Sequence, residues 1–273
     1  MTKSDSLTLG SFSAVDADAS AAALVAALDD VASLPAVQRL RGTATEMLAP
    51  RLGHRLVDVG CGTGDVLLML ASLVGPTGSV VGIEPSKTML AEARRRAGER
   101  SMPIELRQGD ATRLDLDDAS FDGARCERVF QHLSAPEAAM AELVRVTKPR
   151  GRIVVIDTDW GMHAIHGADP QLTARVVGCW ADNAANGWSG RRLPALFVDA
   201  GIHEPVVVAE TFTSVDPRRS ALPPFTIMAA AAERTGALSA GEAEAWLAQL
   251  ADAARRGQFF WAATMFAVAG ERV

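Results

Sequence analysis

The spacing of hydrophobic residues changes several times along the 273-residue chain, and each change predicts an element. Apolar positions three and four residues apart predict helices at 21–31 and 36–48. A short apolar run at 55–59 ends in a glycine cluster, which is typical of a buried parallel strand. Strand and helix then alternate, as in α/β proteins. The predicted strands are 55–59, 80–84, 104–108, 123–127, 152–157, 205–210 and 259–269, and the remaining helices are 65–73, one from Ser86, 136–147, 170–183, 192–200 and 222–254.

Composition narrows the class of protein further. The net charge is −6 and the basic residues are spread along the chain, so no electrostatic footprint for nucleic acid is present. The longest apolar stretches are too short to cross a membrane, and the N-terminus lacks a signal-like segment. The three cysteines fit neither a disulfide framework nor a zinc motif. We expect a cytoplasmic protein with no nucleic-acid or membrane partner, and a homodimer is compatible with the sequence.

The glycine-rich segment VDVGCGTG, at 57–64, connects the first strand to a helix. Its backbone amides can contact a ligand directly, a device that dinucleotide sites also use. Here the third glycine comes one residue earlier than in the dinucleotide fingerprint, and Asp58 and Asp65 flank the loop. These carboxylates would repel a pyrophosphate but suit a ligand with positive charge and no phosphate. S-adenosyl-L-methionine has both properties.

Two further carboxylates follow later strands. Glu84 ends the second strand, where a carboxylate can accept both hydroxyls of an adenosine ribose. Asp110 follows the third strand and could accept a hydrogen bond from an adenine amino group. Taken singly, Asp58 and Glu84 could be helix caps or solvated ends and Asp110 a turn residue, but together they predict an adenosine pocket.

In order and spacing, VDVGCGTG, GIEPSKTML, GDATRLDLDDASFD and CERVFQHL resemble class I S-adenosylmethionine-dependent methyltransferases. The similar group includes ubiquinone and menaquinone C-methyltransferases and many enzymes of secondary metabolism. The resemblance implies that Asp58, Gly60, Gly62 and Gly64 surround the methionine part and that Glu84 holds the ribose. It places Asp110 and Ala111 at the adenine. The other residues that it places near the cofactor are Pro85, Ser86, Met89, Glu127, Gln131 and, for the cofactor carboxylate, Arg41.

The resemblance also implies a Rossmann-like fold: a seven-stranded, mostly parallel sheet with helices on both faces and helical lid insertions. We expect one methyltransferase domain over 1–273. Its expected parts are an N-terminal helical cover at 1–50, a cofactor-binding core at 51–160, lid insertions at 161–190 and 211–258, and a final strand at 259–273. Because lids carry the irregular parts around a common scaffold, they should form the acceptor pocket.

Three histidines, His132, His163 and His166, follow the fourth and fifth strands, near the reactive end of such a site. A general base is needed only where the acceptor must lose a proton, and His132 or His163 is the candidate. Each histidine could instead be a packing or surface residue. Asp157, Asp159 and Trp160, at the predicted carboxyl end of the fifth strand, could face the acceptor. His163 and His166 could also bind a metal with Asp159 or Asp169, but three-residue spacing without a recognised context is a weak signal, so we predict no metal.

The sequence therefore predicts methyl transfer to a small-molecule acceptor, hydrophobic or aromatic because the lids are apolar. The stretch from Glu127 to Phe130 lacks the Asn/Asp-Pro-Pro-aromatic motif expected of nucleic-acid amino-methyltransferases. Two alternatives stay open: a protein of this fold that binds the cofactor without transferring methyl, and an NAD(P)-dependent oxidoreductase, which the glycine spacing and Asp58 disfavour.

Overall fold

A computed structural model describes Asp16 and residues 21–98, 104–217 and 225–273. The helices within these residues are α1 (Ala21–Ser33), α2 (Pro35–Leu48), α3 (Asp65–Val74), α4 (Lys87–Gly98), α5 (Pro136–Val146), α6 (Pro170–Asp182), α7 (Ser189–Asp199), α8 (Phe225–Arg234) and α9 (Ala240–Arg255). The strands are β1 (Arg55–Val59), β2 (Ser79–Glu84), β3 (Ile104–Gln108), β4 (Phe121–Glu127), β5 (Thr147–His166), β6 (Val206–Ser214) and β7 (Phe260–Glu271).

All seven strands belong to one sheet, in the order β3-β2-β1-β4-β5-β7-β6. The pairs among β1 to β5 are parallel, whereas β7 runs antiparallel to both β5 and β6. The predicted Rossmann-like, mostly parallel sheet is confirmed. Its strand order reverses beside β1, and such a switch point is where open α/β sheets bind ligands.

Helices cover both faces because successive strand residues point to opposite sides. Val57 and Val155 belong to a cluster that includes residues of α5 and α7. Their neighbours Leu56 and Val154 belong to another, with α2 and α3. Strands buried on both faces read as continuous apolar runs, which is why they could be located from sequence.

A third hydrophobic cluster lies beyond the parallel strands. It joins α6, α8 and α9 to the far part of β5 and the start of β7, and Trp246 of α9 is fully buried in it. This cluster gives the carboxyl edge of the sheet a wall of aromatic side chains, which bounds the cavity described below.

The largest difference from the predicted elements concerns β5, expected at 152–157 but extending to His166. Antiparallel pairing with β7 sustains the extension, from Asp157 opposite Phe266 to His166 opposite Phe260. The placement of Asp157, Asp159 and Trp160 at a strand end was therefore wrong, since they lie inside β5. The expected lid at 161–190 likewise begins with strand residues, 161–166.

Two helical predictions also need correction. The stretch 222–254, expected to be mostly helical, contains two helices, because α8 ends at Arg234 and α9 begins after Ser239, which caps it together with Glu242. Residues 222–224 of that prediction, and most of 1–20 in the expected N-terminal cover, lie outside the described residues. The helix predicted at 192–200 begins earlier, at Ser189.

Candidate functional site

A cavity of about 540 Å³ lies at the carboxyl ends of the parallel strands. It is bounded by the loops after β1, β2, β3 and β4, by α1 and α2 on one side, and by the aromatic wall of the third cluster. The predicted site residues in its lining are Arg41, Asp58, Gly60, Gly62, Glu84, Pro85, Met89, Asp110, Ala111, Glu127, Gln131 and His132. The fold thus brings twelve of the fifteen residues predicted for the cofactor or as a base together, and Gly64, Ser86 and His163 are the three outside the lining.

The glycine loop after β1 needs its glycines for two different reasons. All three have positive φ, with values of 76° at Gly60, 54° at Gly62 and 85° at Gly64. A Cβ on Gly60 would lie 2.1 Å from Cγ2 of Val129, so the backbone passes directly against the segment after β4. At Gly62 the nearest atom to such a Cβ would be 4.0 Å away, so Gly62 presents bare backbone to the cavity.

Gly64 serves helix packing and not the cavity lining. A Cβ there would lie 3.1 Å from Cβ of Ala93 on α4, which means that Gly64 lets α3 begin close to α4. Gly64 faces α4 and does not line the cavity, so the structure gives no support to its predicted contact with the methionine part of the cofactor.

Glu84 ties the end of β2 to the glycine loop. One carboxylate oxygen accepts from the Gly62 amide at 3.1 Å, and the other accepts from the Ser86 amide at 3.0 Å. Burial raises the pKa of Glu84, and the two amide bonds partly offset that effect. A carboxylate has about four acceptor positions, so the two oxygens can still accept a pair of neighbouring hydroxyls. This arrangement fits the ribose of an adenosine.

The segment after β3 closes the adenosine side of the cavity. Asp110 is exposed, and one of its oxygens accepts from both the amide and the hydroxyl of Thr112 at 2.7 Å. Asp110 is thus a turn residue, as in the simpler interpretation, and it lines the cavity as well. Ala111 and Met89 are buried and supply apolar surface for a flat ring.

Charged side chains converge behind the loop, at the centre of the cavity. Arg41 makes a bidentate contact with Glu127, with nitrogen–oxygen distances of 2.8 to 3.0 Å. Arg125, fully buried in the middle of β4, contacts Glu127 and also binds Asp58 at 3.1 Å. Arg128 lies 3.6 Å from Glu127 and has a left-handed backbone with φ of 56°. These five groups form the arginine-carboxylate network.

Burial and ion pairing compete in setting the pKa directions in the network. Burial raises the pKa of Asp58, although Arg125 opposes this effect. It would also raise the pKa of Glu127, but Arg125 and Arg41 outweigh it and hold that pKa well below its ordinary value. Burial lowers the pKa of Arg128. With carboxylates charged, three guanidinium groups face two carboxylates, and the one excess positive charge suits the carboxylate of an amino-acid ligand.

The opposite end of the cavity is apolar and aromatic. Its side chains come from distant parts of the chain, and include Trp160, Trp180, Phe212, Ile227, Trp261 and Met265. The α1 residues Leu28 and Val31 also line the cavity. This composition suits a hydrophobic small molecule.

His132 lies between the two ends, on the short 3-10 helix Phe130–His132 after β4. Its Nε2 is 3.1 Å from Nε2 of Gln131, whose backbone amide donates to Asp157 at 2.7 Å. Burial raises the pKa of Asp157 to about 7, although hydrogen bonds from Thr158, Ser189 and Gln131 oppose the rise. His132 itself lines the cavity, so it is the candidate base that can reach a bound acceptor.

His163 is placed differently. Its Nδ1 accepts a hydrogen bond from Nε1 of Trp261 at 2.9 Å, so the lone pair that could take a proton is already used. Burial lowers the pKa of His163 to about 4. Both features make His163 a poor general base.

Sequence reasoning missed Arg125 and Arg128 and the tryptophans Trp180 and Trp261. Arg125 left a usable signal, because an arginine in the middle of an apolar strand must find buried carboxylates. The tryptophans left none, since their positions depend on how α6 and β7 pack across the sheet. Among the described residues, no cluster of three or more histidine, cysteine and acidic side chains could hold a metal ion.

Comparison with known proteins identifies the family. A family model described as a methyltransferase domain matches residues 57–155. Over 251 residues the chain is 36% identical to an uncharacterized 37.1 kDa protein in a transposon of Streptomyces fradiae, covering 90% of this chain and 71% of that protein. It is 40% identical over 120 residues to a demethylmenaquinone methyltransferase of Desulfitobacterium hafniense, covering 43% of this chain and 47% of that protein. The chain belongs to the class I S-adenosylmethionine-dependent methyltransferases, and S-adenosylmethionine is its cofactor.

The alignment with the demethylmenaquinone methyltransferase spans only about half the length of that relative. Solved structures share the fold over more of the chain. Geranyl diphosphate C-methyltransferase from Streptomyces coelicolor has a TM-score of 0.54 at 18% identity and covers 86% of this chain and 80% of its own. The cyclase SpnF has a TM-score of 0.51 at 23% identity, with 84% and 79% covered. At these identities the likeness is one of fold.

Proposed function

We propose that the cavity binds S-adenosylmethionine at its glycine-loop end and a small hydrophobic or aromatic acceptor at its aromatic end. The observation that carries this proposal is the continuity of the cavity. One continuous cavity has both Gly62 and Glu84 in its lining and the three tryptophans Trp160, Trp180 and Trp261. A methyl donor and an acceptor can therefore lie next to each other, out of water.

In this proposal each residue of the lining contacts the part of the cofactor that lies nearest to it. Glu84 accepts the ribose hydroxyls, and Asp110, Ala111, Pro85 and Met89 surround the adenine. Asp58, Gly60 and Gly62 contact the methionine part together with Gln131. The arginine-carboxylate network offers its excess positive charge to the cofactor carboxylate through Arg41, which Glu127 holds in position.

S-adenosylmethionine supplies a methyl group that its sulfonium already activates, so the chain mainly has to position the acceptor and exclude water. The aromatic wall and α1 exclude water. His132 takes a proton from the acceptor where the acceptor atom is a hydroxyl or an acidic carbon. Trp180 and Ile227, which line the aromatic end, fall in the two expected lids, whereas Phe212 belongs to strand β6.

The proposal is tested by incubating the protein with methyl-labelled S-adenosylmethionine and a panel of phenols, quinols and prenyl compounds. Release of S-adenosylhomocysteine together with a labelled acceptor supports methyl transfer. A Gly62→Arg variant should lose both, because its side chain fills the cavity at a position that is now open. Consumption of an acceptor without S-adenosylhomocysteine would instead identify a member of this fold that binds the cofactor without transferring methyl.

The NAD(P)-dependent alternative is set aside, because the family uses S-adenosylmethionine. Within the described residues, no helix has the length and apolar character needed to cross a bilayer. The cytoplasmic location, a role in secondary metabolism, the homodimer, the absence of nucleic-acid and membrane partners and the division into cover, core and lids stay predictions.

A further inference from the structure

Four aromatic side chains at the end of the cavity form one contact group, which we call the indole cluster: Trp160, His163, Trp180 and Trp261. The Trp160 ring stacks on His163 with centroids 5.9 Å apart and meets Trp180 edge-on at 6.1 Å. Trp261 completes the group at 5.8 Å from His163. The three tryptophans line the cavity, and each is about 5% exposed or less.

Several hydrogen-bond donors of the indole cluster have no acceptor among the described residues. Because Trp261 donates to Nδ1 of His163, the neutral imidazole carries its proton on Nε2. Nε1 of Trp160, Nε1 of Trp180 and Nε2 of His163 are buried without a hydrogen-bond partner in the part of the chain that the structure describes. Leaving a buried donor unpaired costs about 1–3 kcal/mol, so three in one cluster require an explanation.

The other tryptophans show that the chain can satisfy its indoles. The sequence has five tryptophans. Trp246 donates to Oγ1 of Thr173 at 3.0 Å, and Trp188 donates to Asp182 at 3.1 Å. Neither of them lines the cavity. The two indoles for which the described residues provide no acceptor are Trp160 and Trp180, and both line it.

Among the described residues, the elements that carry the aromatic end contribute no charged side chain to the lining, so its unpaired groups call for an acceptor atom on a neutral body. We propose that the methyl acceptor is an otherwise apolar molecule that carries a carbonyl or phenolic oxygen, and that this oxygen accepts hydrogen bonds from Trp160 and Trp180. Both nitrogens are covered by neighbouring atoms, so an indole turns slightly when the oxygen binds. This inference rests on the proposed function, because it describes the acceptor of the same site.

The test compares hydrocarbons with their oxygen-bearing counterparts: naphthalene with β-naphthol, indane with indanone, and limonene with carvone. Binding to protein saturated with S-adenosylhomocysteine is measured by equilibrium dialysis. We expect at least one oxygen-bearing compound to bind about tenfold more tightly than its hydrocarbon, as one to two added hydrogen bonds predict. Trp160→Phe and Trp180→Phe keep an aromatic ring and remove the donor, so each should reduce that ratio to about threefold or less.

Trp246→Phe is the matched control, since its indole lies outside the cavity, and it should keep the tenfold ratio. If a phenylalanine variant fails to fold, benzothienylalanine at the same position keeps the two-ring shape and still removes the N–H. The inference is overturned if no oxygen-bearing compound binds up to its solubility, if each pair binds equally, or if the variants keep the full ratio. Failure of S-adenosylhomocysteine itself to bind would instead count against the proposed function.

Discussion

Gly60 has the least room of the glycines in the loop after β1. An added Cβ would overlap Cγ2 of Val129 and would hold an alanine at a φ of 76°. We expect Gly60→Ala to lower the free energy of unfolding by about 2–4 kcal/mol, the sum of left-handed strain and overpacking. Urea titration measures this change.

Gly42→Ala is the control for that substitution. Gly42 is exposed on α2 and has no atom within 4 Å of the Cβ position, so alanine there should raise stability by about 1 kcal/mol. Equal effects of the two substitutions would mean that the loop does not press against the segment after β4.

The raised pKa of Asp157 should make the stability of the protein depend on pH. Its folded-state pKa of about 7 exceeds the ordinary 3.8, so between these values the folded protein keeps a proton that the unfolded chain has lost. The stabilising contribution is full below about pH 4 and is lost as pH rises through about 7. Relative to Asp157→Asn, the wild-type protein should lose about 1.4 kcal/mol per pH unit across this interval.

The measurement is a series of urea titrations of both proteins between about pH 4 and pH 8. His163 titrates in the opposite sense, because its pKa is lowered to about 4, but it is present in both proteins and cancels in the difference. A constant difference over the whole series would show that Asp157 is ionised in the folded protein.

At the scale of elements, helix α1 is held over the cavity by an ion pair between Asp29 and Arg96 of α4. Arg96, on α4, contacts Asp29 of α1 at 2.9 Å and Asp65 of α3 at 2.6 Å. The run Arg94 to Arg96 looks like a solvated helix end in the sequence, yet the structure pairs Arg96 across three helices. Asp16 adds a contact of the N-terminal region, since it accepts from the amides of Lys87 and Thr88.

We therefore expect Arg96→Met to release α1 and to speed dissociation of S-adenosylhomocysteine about three- to tenfold, the size that partly exposed pairs allow. A displacement experiment in a stopped-flow instrument gives the rate. Arg94→Met, at an exposed position of the same helix, should leave the rate unchanged. An unaltered rate in the Arg96 variant would mean that α1 does not limit release.

Strand β5 shows where elements escape sequence reasoning. Its first part could be located because the run Ile153 to Ile156 is buried on both faces. Asp157, at the end of the predicted strand, and Asp159, in its extension, ordinarily argue against a strand interior. Both are buried because distant groups satisfy them: Ser189 donates to Asp157, and Arg191 binds Asp159. No local pattern announces such partners.

For the whole molecule, the cofactor end could be predicted and the acceptor end could not. Glu84 and Gly62 belong to consecutive strand–loop–helix units, so their meeting follows from parallel pairing. Trp160, Trp180 and Trp261 come from β5, α6 and β7, and they meet only through packing across the sheet. Because that packing involves residues far apart in the chain, the sequence predicted an apolar pocket but not the side chains that line it.

In the proposed function, the glycine loop and Glu84 hold a nucleoside cofactor. Isothermal titration with S-adenosylhomocysteine tests it on the wild-type protein and on the Glu84→Gln variant. In that variant the side-chain NH2 group would point at the backbone N–H of Gly62 or Ser86, so two donors would face each other. Glu105→Gln, an exposed position on β3 paired with Arg107, is the control. We predict one-to-one binding by the wild type and the control, and binding about ten- to a hundredfold weaker by the Glu84 variant. No binding by the wild type, or equal affinity in a folded Glu84 variant, would contradict the account.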